Sequence, residues 1–217
     1  MKPKIARSSS RLPDEAATRW WWVRHAPVPH LRHEIYGNRD VDCDTSDSDT
    51  FASLAERLPK DAVWHVSHLK RTHQTAQAIA DQGYPIPELQ PSNRIGEQDF
   101  GDLHGRRHDE HAAARTDPFV GFWPNSPMDT VPGGEHFDDL CARVHEFIRA
   151  GNAKYPGRDV VCVAHFGPII AALRLALDLN PTSSVAFSIP NLSVTRIHHY
   201  ASAPAGAPPY RVYAVGG

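Results

Sequence analysis

The chain is poor in cysteine and methionine, with three Cys and two Met in 217 residues. Cys43, Cys141 and Cys162 are too few and too scattered for a disulfide framework or a zinc site, so they read as reduced thiols of a cytoplasmic protein. Charge of one sign is also missing. Lys and Arg number 23 and Asp and Glu 25, a net charge of -2, which gives no reason to expect nucleic acid or an anionic membrane as partner. No apolar run approaches the about 20 residues of a membrane span, and none follows Lys2 and Lys4 to make a signal peptide. There is no internal repeat, no Gly-x-x-x-x-Gly-Lys loop, no His-Glu-x-x-His and no Cys pair at zinc spacing.

What is present is an alternation of strand and helix patterns. Residues 1–18 are basic, polar and Ser-rich and read as a flexible arm, with one domain expected over 19–217. Strands are expected at 19–23, 62–66, 159–164, 185–189, 193–198 and 210–215. Helices are expected at about 49–57, 71–81, 135–154 and 168–177, the last with Pro168 in its first turn. Phe137, Leu140, Cys141, Val144, Phe147 and Ile148 fall on one face of the third of these. The run Trp20-Trp21-Trp22 reads as core on both faces of a strand. Residues 118–132, rich in proline and aromatics, read as a loop, either a lid or a partner surface. The order implies a three-layer α/β/α fold with a mostly parallel central sheet.

Two of these strands end in chemistry. Arg24-His25 follows the first and His165 follows 159–164, at the carboxyl ends where open α/β sheets bind ligands. Ser67 and Arg71 stand where a strand gives way to a helix, whose amino terminus would add partial positive charge and free N–H groups. A cation beside an imidazole suits a phosphate ester, because guanidinium grips oxygens while imidazole attacks phosphorus.

The segments carrying these residues resemble the motifs of the histidine phosphatase superfamily, of phosphoglycerate mutase-like fold. That family opens with Arg-His-Gly and continues with Ser-x-Leu-x-Arg-Ala-x-Gln-Thr-Ala, Glu-x-x-Phe-Gly-x-x-x-Gly, Pro-Gly-Gly-Glu-Ser and His-Gly-Gly. Here stand Arg24-His25-Ala26, then Ser67, Leu69, Arg71, Gln74, Thr75 and Ala76 in register, then Glu97, Phe100, Gly101 and Gly105. Pro132-Gly133-Gly134-Glu135-His136 and His165-Phe166-Gly167 complete the series, and the match spans 20–197. The element Tyr36-Gly37-Asn38-Arg39-Asp40 resembles the α-ribazole phosphatase branch and favours hydrolysis over mutase transfer.

The resemblance implies that His25 is the nucleophile, its other ring nitrogen held by a backbone carbonyl. Arg24, Arg71 and His165 would bind the phosphoryl group, and Glu97 would serve as general acid and base. No metal or cofactor is implied. The expected partner is a small-molecule phosphate ester, with a homodimer left open. Ser67 serves either as a helix cap or as a substrate ligand. Asp99 and Glu110 are the alternatives to Glu97, and Glu135 reads as a cap or the partner of an arginine. Ala26 replaces a Gly and denies the turn an easy positive φ. Phe166 replaces another and either narrows the pocket or stacks on a substrate. Two other classes stay open. One is a metal site on His104, His108 and His111; the other is a scaffold that binds phosphorylated ligands without turning them over.

Overall fold

The computed structural model describes residues 16–116 and 123–217. Most of the arm expected at 1–18 lies outside the described residues, as do Phe119 and Phe122 of the 118–132 loop. Six strands form one sheet: β1 (Thr18–Arg24), β2 (Ala62–Ser67), β3 (Gln90–Ser92), β4 (Asp159–Ala164), β5 (Val194–His199) and β6 (Tyr210–Ala214), in the order β3-β2-β4-β1-β5-β6. β1, β2, β3 and β4 run parallel, β5 is antiparallel to β1, and β6 is antiparallel to β5.

Helices cover both faces. On one lie α1 (Ser48–Arg57) and α2 (Lys70–Ala80), which bury Phe51, Leu54 and Ile79 against Val23, Trp64, Val66, Val161 and Val163. On the other lie α4 (Phe137–Lys154) and α5 (Phe166–Leu177), packed on Trp20, Trp22, Val160 and Cys162. The short α3 (His108–Ala113) and α6 (Pro181–Ser184) lie in connections. The fold is therefore three-layered and mostly parallel, as the patterning implies.

The tryptophan run divides by the two-residue period of a strand. Trp20 and Trp22 are buried toward α4, stacked 5.8 Å apart, while half-buried Trp21 faces the other layer. Two of the three polar tips find acceptors, Trp20 Nε1 donating to Asn152 Oδ1 at 2.8 Å and Trp21 Nε1 to Asp159 Oδ1 at 2.8 Å, while Trp22 Nε1 is buried without one among the described residues.

Three expectations are corrected. Residues 185–189 form no strand. Val185 and Ile189 are buried in the α4–α5 core, and the Ile189 carbonyl accepts from Arg24 instead of from a ladder. Conversely, β3 is a three-residue edge strand whose sequence, Gln-Pro-Ser, carries no strand signal; Pro91 is tolerated because an edge leaves its missing N–H unneeded. The first strand begins at Thr18, so the sheet takes the last residue assigned to the arm. α5 starts two residues ahead of Pro168, which stays in the first turn.

β1 and β4 are neighbours, and the chain leaves them in opposite directions: from β1 through α1 to β2, from β4 through α5 to β5. Their carboxyl ends thus flank the crevice of a divergent sheet. Gly151 lets α4 close on this sheet, because a Cβ there would stand 2.4 Å and 2.7 Å from two ring carbons of Trp20. Gly151→Ala is expected to lower unfolding free energy by about 1–3 kcal/mol through overpacking. Urea denaturation measures this, and an unchanged midpoint would show that the Trp20 contact yields freely.

Candidate active site

His25 is fixed from every side. Its N–H donates to the Ala164 carbonyl at 3.0 Å, tying the end of β1 to β4, and its own carbonyl accepts from Asn191 Nδ2 at 2.8 Å. The next amide, Ala26 N, donates to Thr75 Oγ1 at 2.9 Å. Ala26 needs no left-handed backbone: among the described residues, the non-glycine positions with positive φ are Asp178 and Leu192. The His25 ring lies 2.6 Å through Nδ1 from the Ala26 carbonyl. A carbonyl only accepts, so Nδ1 carries the proton and Nε2 keeps its lone pair. Burial, reinforced by the guanidinium charges of Arg71 and Arg24, holds this imidazole well below its ordinary pKa of 6.5.

His165 stands beside it, ring centroids 5.0 Å apart. Its Nδ1 accepts from Arg71 Nε at 3.2 Å, so Nε2 bears the hydrogen and donates to Ser67 Oγ at 2.7 Å. Burial first, then Arg71, keeps this ring well below its ordinary pKa as well. Ser67 is fully buried, and its Oγ also accepts from Leu69 N at 3.1 Å. It therefore stands as the partner of the His165 ring and bonds the backbone just ahead of α2.

Arg71 is wholly buried on the first turn of α2. The local conflict of a cation at a helix amino terminus is resolved by turning the guanidinium back onto carbonyls. Nη1 donates to Arg39 O and Nη2 to Gly37 O, each at 2.7 Å, and the Tyr36 ring lies 5.4 Å beneath. Gly37 adopts φ +42°, and a Cβ there would stand 2.6 Å from His104 Nε2, so this carbonyl can be delivered only by glycine. At the α2 amino terminus two N–H groups are already engaged, Lys70 N donating to Asp40 Oδ1 at 2.8 Å and Leu69 N to Ser67 Oγ at 3.1 Å.

Arg24 donates through Nη1 to Ile189 O and stacks 5.4 Å over the Phe166 ring. It also bonds to the Tyr36 phenol, whose pKa burial raises. Glu97 Oε1 accepts from Gly167 N at 3.0 Å and Gln98 N at 3.0 Å. The opening turn of α5 thus receives a carboxylate, and Gly167 makes room for it: a Cβ there would stand 2.5 Å from that oxygen. Burial pushes the Glu97 carboxyl above its ordinary pKa, against the pull of these N–H groups and of Arg71 and Arg24.

Arg24, Tyr36, Glu97, Phe100, Trp123 and Phe166 line one cavity of about 270 Å³. Glu97 also lines a second, polar cavity of about 310 Å³, shared with Asp99, His68 and Arg143. Of the alternative acids, Asp99 faces only that second cavity and Glu110 is exposed on α3. Glu135 grips Arg143 through both oxygens, at 2.6 and 2.9 Å, and His136 Nδ1 caps α4 by accepting from Asp138 N at 3.0 Å. Among the described residues no three His, Cys, Asp or Glu side chains gather as a metal site. His104 accepts from Phe100 N and His111 contacts Pro124 O, so the histidine cluster is dispersed.

Glu34, Asn191 and Arg143 are site residues that the motifs did not single out, and Tyr36, which heads a motif element, gains a place beside both arginines that the motif did not assign. Arg143 donates to the carbonyls of Arg94 at 2.8 Å and Glu97 at 3.2 Å, holding from α4 the loop that carries the carboxylate.

This sheet, with its ligand crevice at the carboxyl ends of β1 and β4, is the phosphoglycerate mutase-like fold. The chain belongs to the histidine phosphatase superfamily (branch 1), whose family model matches residues 20–206. It is 29% identical over 177 residues to phosphoglycerate mutase-like protein 4 of Arabidopsis thaliana, covering 79% of this chain and 75% of that protein. To the metal-independent phosphoserine phosphatase of the same plant it is 28% identical over 181 residues, covering 81% and 74%. Among solved structures, Bacillus stearothermophilus YhfR superposes with a TM-score of 0.76 at 22% identity, covering 92% of this chain and 96% of that one. An Escherichia coli protein provisionally assigned as an alpha-ribazole-5'-P phosphatase gives 0.74 at 15% identity, with the same coverage of 92% and 96%. The activity class is that of the superfamily, phosphatase or mutase chemistry on small phosphate esters.

The lowered histidines make the fold acid-sensitive. Below pH 6.5 the unfolded chain takes up protons that folded His25, His165 and His65 (the last lowered to about 4) refuse, so stability falls as pH drops through this window. Glu97 acts with opposite sign above pH 4.5, where the folded state retains its proton. Urea midpoints are expected to fall between about pH 6.5 and 5 and to fall less in His25→Gln. An identical slope in the variant would contradict the buried neutral imidazole.

Proposed function

We propose that the protein is a metal-independent phosphomonoester hydrolase that works through a phosphohistidine on His25. The observation that carries this reading is the His25 Nδ1–Ala26 carbonyl bond, which leaves an Nε2 lone pair among two guanidinium groups and a second imidazole. A neutral ring is the attacking form, and the lowered pKa keeps it neutral through the physiological range. Arg24 and Arg71 clamp the phosphoryl oxygens with N–H groups beyond those already given to carbonyls.

Nε2 forms a bond to phosphorus as the ester P–O bond breaks. Glu97, whose raised pKa favours the protonated form, gives its proton to the departing alkoxide. Water then attacks the phosphohistidine, Glu97 takes up the water proton, the N–P bond breaks, and inorganic phosphate leaves with neutral His25 restored. His165 donates to the phosphoryl group only after gaining a proton at Nδ1, since that atom accepts from Arg71 in the free protein. A bound phosphoryl dianion supplies the negative charge that makes this protonation favourable.

Transfer to a second alcohol shares the first half of this path. The 2,3-bisphosphoglycerate-dependent phosphoglycerate mutase of Brucella canis, 33% identical over 116 residues, supports that second reading over 52% of this chain and 56% of that protein. Hydrolysis is preferred on the Tyr36-Gly37-x-x-Asp40 element, which here builds the Arg71 anchor and the α2 cap.

The test is p-nitrophenyl phosphate hydrolysis in the presence of a chelator, wild type beside His25→Ala. Wild-type turnover with the variant at background is expected; equal rates in both remove His25 as nucleophile, and a rate restored by one added metal removes the metal-free path. Glu97→Gln is expected to slow an alkyl phosphate by about 100-fold or more, and p-nitrophenyl phosphate much less, because p-nitrophenolate leaves without protonation. Equal losses on both would count against Glu97 as the acid.

A further inference from the structure

The cavity outside the phosphoryl site is built from features that phosphoryl binding does not require. Its walls are largely aromatic. Trp123 lies 5.1 Å from Phe166 and 5.9 Å from Phe100, and its Nε1 is fixed on Gln98 Oε1 at 3.1 Å, so its ring cannot swing freely. Ile35 and Tyr36 also line the cavity.

Its charges are equally particular. Among the described lining residues, Arg24 is the only Lys or Arg, whereas two carboxylates, Glu34 and Glu97, border the space. Arg39 stands 3.9 Å from Glu34, but it is exposed and outside the lining. His108 lines the rim, bonded to the Glu34 backbone, and partial burial keeps its pKa below the ordinary value. A substrate with a second anion would therefore place it beside Glu34, with Arg24 already engaged by the phosphoryl group. Like charges a few ångströms apart at a partly buried site disfavour binding by about 10-fold or more.

We propose that the group esterified to phosphate is an uncharged moiety with a flat apolar face, such as an aryl or ring alcohol, held by Phe166 and Trp123. We further propose that esters whose alcohol carries a carboxylate or a second phosphate are excluded by Glu34. This rests on reading the cavity as the leaving-group side of the phosphomonoesterase site.

The experiment compares phenyl phosphate with 4-carboxyphenyl phosphate, which differ only in a carboxylate, by tryptophan-fluorescence titration at pH 7.5. It uses the H25A protein, which cannot form the phosphohistidine, alone and with E34Q added. Phenyl phosphate is expected to bind at least about 10-fold more tightly, and E34Q to narrow the gap by weakening the discrimination against the carboxylate. Equal affinities, tighter binding of the carboxylated ester, or binding of neither overturns the proposal. Wild-type turnover of phenyl phosphate is read separately: preferential binding without turnover removes the hydrolytic reading and leaves the pocket assignment standing.

Discussion

A buried guanidinium held by carbonyls is the constraint on which the rest of this structure depends. Arg71 is removed from water, and what meets it is the Gly37 and Arg39 carbonyls, the Tyr36 ring and the His165 imidazole. Dipoles orient such a cation without cancelling it. The positive charge is held in place beside the His165 imidazole. That single residue also fixes its neighbours: the tautomer of His165 follows from the Arg71 Nε hydrogen, and its charge helps depress the pKa of both buried imidazoles.

The sheet supplies the other half of the arrangement. β1 and β4 are locked in register through their last residues, so the backbone that carries His25 and the backbone that carries His165 cannot drift apart without breaking the centre of the ladder. The carboxylate is brought in differently. Glu97 sits on a loop, and its position comes from Gly167 N on one side and Arg143 on the other, two anchors contributed by α5 and α4. The His25 imidazole and the Glu97 carboxyl thus depend on separate parts of the fold, one on strand pairing and one on helix packing.

Much of this was legible in the sequence, because the key groups belong to short local patterns. A strand ending in Arg24-His25 or in His165 announces its place at the carboxyl end of the sheet, and the hydrophobic spacing of 137–148 announces the helix behind it. The missing parts are those in which distant segments meet. Nothing near Tyr36 signals that it will touch both Arg24 and Arg71, and the Arg143 bond to the Glu97 carbonyl joins residues with no common periodicity. Ser67 belongs with these: its place at a strand-to-helix junction does not announce that its hydroxyl bonds His165, far along the chain. Residues 185–189 alternate like a strand, yet their apolar members are spent on core packing beside α4 and α5.

Glu97 borders two cavities at once, and this bears on timing. A carboxyl reached from only one side must wait for that side to empty before it can exchange with solvent. With a second polar chamber against it, lined by Asp99, His68 and Arg143, the carboxyl has a way out that does not pass through the aromatic chamber. Occupancy of the aromatic chamber and the proton inventory of the carboxyl are then separate variables, and the clock for one need not be the clock for the other.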